Sequence, residues 1–443
     1  MASNISLTGL AKDLALRAET GKPERIGLIG SGEMGTDIVT RAAMMDGVDV
    51  AAISEITPGA AESAVEIAYQ NDGHSAEASN TDSLNAVIES GKTAVTDNAD
   101  AILNSGLSDV VIDATGVPAV GAEIGLSAME RGKHLVMMNV EADVTIGAYL
   151  RREAERLGVI YSLGAGDEPS SCMELIEFVS AMGHKIVCAG KGKNNPLNID
   201  ATPDAYVEEA ARRNMNPRLL VEFVDGSKTM VEMCAIGNAT GLIPDCDGMH
   251  GPAATREALA ETLIPASDGG LRSDIGRVDY SIGKGVAPGG FVIAHAEHPR
   301  VHERMSDLKM GDGPYFTFIR PYHLTSLEVP LTCARAVLYG KADMIPLTNP
   351  VAEVCAVAKR DLKPGDTLDQ IGEYTYRAWA MEAVRARAVQ AHPAGLLTGA
   401  IVTAPIAKGD LVTASNCALP DTKIVDLRRR QDEMIFGKEV AHA

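Results

Sequence analysis

The stretch that decides the fold is Glu24-Arg-Ile-Gly-Leu-Ile-Gly-Ser-Gly-Glu-Met-Gly35, a short apolar run that ends in glycines at 30, 32 and 35. Reading Arg25 to Ile29 as a buried strand and Met34 to Met45 as a helix leaves a Gly-x-Gly-x-x-Gly turn between them, the context in which this spacing cradles a dinucleotide. Gly30 permits the tight turn, Gly32 lets the backbone approach a pyrophosphate, and Gly35 lets the helix pack closely on the strand. The unpaired N–H groups of the helix start then face the diphosphate. Ser31, Glu33 and Met34 complete the turn as cofactor-contacting positions. A second apolar run, Val48 to Ile53, leads to Glu55, twenty positions after Gly35. A carboxylate at the end of the second strand accepts hydrogen bonds from a ribose diol.

Downstream, Asp109-Val-Val-Ile-Asp-Ala-Thr-Gly116 reads as a strand ending in a small-residue turn, Pro118 to Arg131 as a helix and His134-Leu-Val-Met-Met-Asn139 as the next strand. Asp143 to Leu157 and Val159 to Leu163 add a helix and a strand. Strands alternating with helices predict an α/β class protein with a doubly wound, Rossmann-type parallel sheet. Residues 56 to 108, with the polar phrases Asn71-Asp-Gly-His74 and Ser79-Asn-Thr-Asp82, exceed an ordinary crossover and read as an inserted helical excursion. Ahead of the first strand, residues 5 to 20 place Leu7, Leu10, Leu14 and Leu16 in a helical rhythm. Ligands of such sheets lie beyond the carboxyl ends of the strands. Thr115 and Gly116 are therefore expected near the nicotinamide and Asn139 deeper in the cleft, although ordinary strand-end turn chemistry explains each taken singly.

A chain of 443 residues implies about three domains. We read 1–165 as the dinucleotide-binding domain with its N-terminal helix, 166–348 as an α+β substrate and dimerisation domain, and 349–443 as a small β module with a tail. The module carries two similar phrases, Lys359-Arg-Asp-Leu-Lys-Pro-Gly-Asp366 and Ala404-Pro-Ile-Ala-Lys-Gly-Asp410, which suggest repeated turns. Arg428-Arg-Arg430 reads as a solvated helix face. A net charge of -20 repels phosphate backbones and anionic membrane surfaces, so neither nucleic acid nor membrane is an expected partner. The seven cysteines form no Cys-x-x-Cys pair and look like thiols of a reducing compartment. No apolar run reaches a membrane-spanning length, and a cytoplasmic location is expected.

An acidic protein that takes an anionic substrate must build a local basic pocket. Lys191 and Lys193 alternate at the end of a strand that runs into Gly190-Lys-Gly-Lys-Asn-Asn-Pro196, so both lie on one face if the chain stays extended. Two adjacent ammonium groups call for an anion between them, with Asn194 in the same turn; one lysine then polarises a carbonyl while the other holds a phosphate. A solvated lysine turn is the plainer alternative. Lys284 is a lonelier candidate. Asp167 and Glu168 offer hard oxygens to Mg²⁺ or Mn²⁺, or negative charge to the start of the helix read over Ser170 to Met182. In Arg320-Pro-Tyr-His-Leu324, Arg320 presents a fork to a phosphate and His323 exchanges protons near neutral pH; capping of the helix 324 to 339 is the alternative. Asp245-Cys-Asp-Gly-Met-His250 has metal-capable atoms at a spacing that fits no common site.

The chain up to Pro350 resembles the homoserine-dehydrogenase superfamily, and the remainder resembles the β-clip module called the SAF domain. The phrases ending at Gly35 and running from Ala189 to Asn198 look like the 1-deoxy-D-xylulose 5-phosphate reductoisomerase-like proteins. That resemblance implies NADPH as cofactor, a divalent cation supported by Asp167 or Glu168, and a small phosphorylated sugar as substrate. It further implies catalysis by Lys191, Lys193 and Glu168, with Asn194, Arg320, Tyr322 and His323 around the sugar, in a homodimer. Homoserine dehydrogenases carry a lysine after the asparagine that matches Asn139; here Val140 and Glu141 follow, which argues against homoserine. Their Gly-Gly-Gly-Ile-Pro turn matches Gly164-Ala-Gly-Asp-Glu-Pro169, where acidic atoms suit a metal. Glu55, with no arginine beside it, reads as a partner of a free 2′-hydroxyl and leaves NADH open. The alternatives are a dehydrogenase of another polyol or hydroxy acid and a dinucleotide-sensing binding protein.

Overall fold

The computed structural model describes residues 6–71 and 73–437; Ile5 of the N-terminal helical pattern and Asp72 of the phrase before His74 lie outside the described residues. In chain order the first elements are α1 (Gly9–Glu19), β1 (Glu24–Ile29), α2 (Glu33–Ala42), β2 (Val48–Ser54), α3 (Ala60–Tyr69), β3 (Ser75–Glu77), α4 (Thr81–Glu89) and β4 (Thr93–Thr96). There follow α5 (Ala99–Asn104), β5 (Val110–Asp113), α6 (Pro118–Glu130), β6 (His134–Met137), α7 (Val140–Leu157) and β7 (Tyr161–Leu163). The seven strands form one sheet in the order β3-β4-β2-β1-β5-β6-β7, with every pair parallel. Parallel neighbours need crossovers, and helices supply them, so the doubly wound α/β architecture is the one expected.

The excursion over residues 56 to 108 is not purely helical. It contains β3 and β4, which extend the sheet beyond β2. Ser75-Ala-Glu77 and Thr93-Ala-Val-Thr96 are short and carry no apolar run, which is why the sequence hides them. The polar phrase at Ser79 to Asp82 is a helix start: the Asn80 side chain accepts from Ser83 N and the Ser83 hydroxyl accepts in return from Asn80 N.

By contact the chain divides into two units: residues 1–139, 150–167 and 324–345 form the first, and residues 140–149, 168–323 and 346–443 the second. In the first, Ile26, Leu28, Val110, Ile112 and Val136 pack on one side with Ile38 and Val39 of α2 and with Val329 and Cys333 of the helix Val329–Tyr339. Val111, Ala52 and Ala94 pack with Ile102 and Ala128 in a second core. Burying both faces suits parallel strands.

The second unit begins with α8 (Glu168–Ala181) and β8 (Lys185–Gly192), then α9 (Val207–Arg212), α10 (Pro217–Val224) and α11 (Ser227–Thr240). The strands β9 (Ile243–Pro244), β10 (Arg277–Ser281), β11 (Gly290–His295) and β12 (Tyr315–Arg320) complete a sheet in the order β12-β11-β8-β10-β9. β8 is parallel to β10 and antiparallel to β11. Eleven of the 14 residues of α11 are buried, so it is a core helix apolar on nearly all sides. Further along, β13 (Ala352–Ala358) and β14 (Tyr376–Glu382) form an antiparallel pair. The two repeated phrases pair with each other: Leu362 and Ile406 exchange backbone hydrogen bonds of 2.8 and 3.1 Å.

The basic run at 428 to 430 is only partly the solvated face expected. Arg429 and Arg430 are exposed, but Arg428 is drawn inward by Glu353 of β13, at 2.5 Å, and by Asp432, at 2.9 Å. A carboxylate buried on a strand needs a counter-charge, which the charge run alone does not disclose. Among the described residues no helix is long and apolar enough to cross a membrane.

Candidate active site

The first unit builds its site from backbone. Gly30 has φ +95°, the left-handed region that favours glycine. A Cβ on Gly35 would overlap the carbonyl oxygen of Gly30, so the start of α2 packs against the turn only because position 35 has no side chain. Gly32 differs: nothing lies within 4 Å of where its Cβ would be. Packing does not require glycine there, and the open space beside the first residues of α2 is the approach a diphosphate needs. The residues present therefore fit a nicotinamide dinucleotide. Glu33 and Met34 form the exposed first turn of α2.

Glu55 is built into this turn. Its Oε2 accepts from the Ser31 N–H at 2.8 Å and hydroxyl at 3.2 Å, and its Oε1 from the Thr57 N–H at 2.8 Å. Burial opposes its charge, but these donors prevail and hold the carboxyl below its ordinary range. Thr115 donates its hydroxyl to Asp113 Oδ1 at 2.7 Å, and Asn139 is buried beside the same carboxyl, whose pKa burial raises. Gly116 turns the chain at φ +64°.

The second unit builds its site from side chains. The expected pair of lysines with an anion between them is replaced by two different environments. Lys191, 5% exposed, places its ammonium 2.7 Å from Glu168 Oε1 and against Glu232 Oε2. Burial alone would depress its pKa; the two carboxylates outweigh that and push it up, so Lys191 is a permanent cation and not a base. Lys193 pairs with no carboxylate among the described residues. Its ammonium donates to the carbonyl oxygens of Asn195 at 2.6 Å and Phe223 at 2.8 Å. Burial, and then the charge of Lys191, bring its pKa down to about 8.

Glu168 opens α8, the helix-start role foreseen as one option, while also pairing with Lys191. His323 places Nε2 3.5 Å from the same carboxylate oxygen, and its buried Nδ1 has no hydrogen-bond partner among the described residues. Glu168 and His323 thus give one oxygen and one nitrogen to the cation expected here, with an ammonium already on that oxygen. Asp167 is the residue before α8. A hard cation wants several oxygens, and the Lys191 ammonium competes for the one that Glu168 offers.

Arg320 is braced against α8 through Ser171 Oγ and Glu174, at 3.5 Å, and lies 4.7 Å from the Tyr322 ring centre. It is therefore less free for a phosphate than its sequence context implies. Tyr322 and Asn194 are exposed, as is Lys284. The Asp245 to His250 phrase is a structural bracket: Asp245 holds His250 and Arg277, each at 2.9 Å, together with Ser273.

Sequence reasoning missed Glu232. Its signal was present: one acid inside Thr229-Met-Val-Glu-Met-Cys-Ala-Ile-Gly237, an apolar run. A carboxylate on such a helix must find a cation once buried. Cys172 was also missed; its thiol, bonded to the Gly190 carbonyl at 3.1 Å, is pushed up to about 12 by burial and then by Glu168.

Residues 166–329 match the family described as oxidoreductase DRL, catalytic domain, and residues 50–163 match the homoserine dehydrogenase NAD binding domain. By these matches the chain is an NAD(P)-dependent oxidoreductase. The curated proteins contain no match to it. Among solved structures it is similar to biliverdin reductase from Synechocystis sp. PCC 6803, with 13% identity and a TM-score of 0.27 over 40% of this chain and 48% of that one. It is similar to 1-deoxy-D-xylulose 5-phosphate reductoisomerase from Zymomonas mobilis, with 14% identity and a TM-score of 0.34 over 48% and 56%. It is also similar to scyllo-inositol dehydrogenase from Lactobacillus casei, with 14% identity and a TM-score of 0.34 over 62% and 74%. The chain spans roughly half the length of the first two, and likenesses this distant say nothing of its substrate.

Proposed function

We propose that the chain is an NADPH-dependent reductoisomerase that converts 1-deoxy-D-xylulose 5-phosphate to 2-C-methyl-D-erythritol 4-phosphate. The observation that carries this reading is the catalytic-domain match over residues 166–329, which contains the Ala189 to Asn198 phrase and the buried group of Glu168, Lys191 and Glu232. The reaction first rearranges the carbon skeleton at constant composition into a branched aldehyde, then adds a hydride and a proton to it. Bound NADPH supplies the hydride. Lys191 donates a hydrogen bond to the carbonyl oxygen as negative charge gathers there, and its fixed charge needs no reorganisation during the step. Glu168, with a side chain 12% exposed against 1% for Glu232, is the carboxylate that takes the hydroxyl proton. Glu232 positions Lys191.

One observation favours NADH as an alternative donor: the ionised Glu55 repels a 2′-phosphate and suits a free 2′-hydroxyl. The test is incubation with deoxyxylulose phosphate, Mn²⁺ and either NADPH or NADH. The expected result is loss of the reduced-nicotinamide absorbance that depends on the sugar; no loss at saturating sugar with both nucleotides defeats the proposal.

A further inference from the structure

Among the described residues, Lys193 and Arg377 of the second unit meet no paired counter-charge of the kind that burial ordinarily demands. Lys193, 7% exposed, satisfies two of its three donors with backbone carbonyls and pairs with no carboxylate among the described residues. Arg377 lies on β14, where it and Trp379 alternate with the buried Tyr376, Ala378 and Ala380. Its guanidinium stacks 4.6 Å from the Trp379 ring centre and makes no hydrogen bond or ion pair with a described residue. Burial draws its pKa down, against the pull of Asp225, Tyr280 and Asp200.

The acids around these two cations are already committed. Asp225 receives Lys359 at 3.0 Å and the Ser227 N–H at 2.8 Å, Asp200 receives Lys408 at 2.9 Å, and Glu232 holds Lys191. The cations also share a neighbourhood. Lys193 reaches the carbonyl of Phe223 near the end of α10, the N–H of Ala378, next to Arg377, donates at 2.9 Å to Ser227 Oγ at the start of α11, and Asp225 between these helices acts on both cations. Tyr280, which feels the charge of Arg377, is the β10 partner of Lys191 in the sheet register.

We infer that Arg377 and Lys193 together form a receptor for a phosphate group, so that the C-terminal β module takes part in substrate binding. The planar fork of Arg377 suits two phosphate oxygens, and the uncommitted donor of Lys193 a third. Lys191, neutralised twice over, is left for the carbonyl. The inference deepens the reductoisomerase reading and rests on it only for which sugar carries the phosphate.

The test is binding of inorganic phosphate to the full chain, measured by titration calorimetry with saturating NADPH present so that the glycine turn is occupied. Wild type is expected to bind, and Arg377→Gln and Lys193→Gln each to bind roughly ten- to a hundredfold more weakly, as loss of hydrogen bonds to a charged group implies. Failure of wild type to bind phosphate overturns the inference, as does a folded Arg377→Gln, judged by circular dichroism, that binds like wild type. If Arg377→Gln does not fold, Arg377→Lys carries the test, because an ammonium cannot reproduce the fork: weakened affinity supports the receptor and unchanged affinity overturns it. Phosphate binding that depends on Arg377, without turnover of deoxyxylulose phosphate, upholds the receptor and defeats the sugar assignment.

Discussion

The glycine turn of the first unit and the lysine cluster of the second handle charge in opposite ways. Around Gly30, Gly32 and Gly35 the chain removes side chains and presents backbone, and the acid built into the turn, Glu55, is held by N–H and hydroxyl donors. Around Lys191 the chain buries three formal charges, one ammonium shared by two carboxylates. A site made of backbone is tolerant of its surroundings and specified locally. A site made of buried ions is specified by residues far apart in sequence and costs heavily when one member is removed.

The largest effect should follow from Lys191→Met, which takes from Glu168 and Glu232 the ammonium they share. Urea unfolding should show a loss of about 3–5 kcal/mol, and turnover should vanish. A variant as stable as wild type would mean that the ion cluster does not hold the unit together.

The glycines should separate stability from binding. Gly35→Ala forces a methyl group into the Gly30 carbonyl and should cost about 1–3 kcal/mol as well as dinucleotide affinity. Gly32→Ala meets nothing in the protein, so its stability should stay within about 0.5 kcal/mol of wild type while NADPH binding weakens in calorimetric titration. Equal stability losses in both variants would erase the distinction between packing glycine and ligand glycine.

A smaller effect tests how the first unit treats a buried acid. Glu24, at the start of β1, is fully buried with neither carboxylate oxygen hydrogen-bonded among the described residues. Burial, and then the charge of Asp109, raise its pKa from 4.5 to about 8. The folded state therefore binds the proton more tightly than the unfolded state. The stability this gives is full below pH 4.5 and is lost as pH rises toward and through 8. Glu24→Gln cannot titrate, so wild-type stability minus variant stability should fall across that window in melting experiments. A difference independent of pH would show that Glu24 stays ionised.

The same contrast explains what the sequence discloses. The glycine turn, Glu55 and the alternation from Asp109 to Leu163 are local patterns, and the parallel sheet follows from them. β3 and β4 escape because, unlike β5 and β6, they are short without an apolar run. In the second unit, Lys191 and Lys193 are visible as a pair, but their different fates depend on Glu168, Glu232 and the carbonyls of Asn195 and Phe223, which only the fold assembles. Arg428 was misread for the same reason: its partner Glu353 lies on a strand far from it in the chain.

The most direct test of the proposed chemistry is the carbon connectivity of the product, read by ¹³C NMR from labelled deoxyxylulose phosphate after complete turnover. The account predicts a branched skeleton with a newly formed carbon–carbon bond, lost when Lys191 is replaced. An unbranched reduced polyol phosphate, with the original carbon order intact, would contradict it and make the chain a simple dehydrogenase.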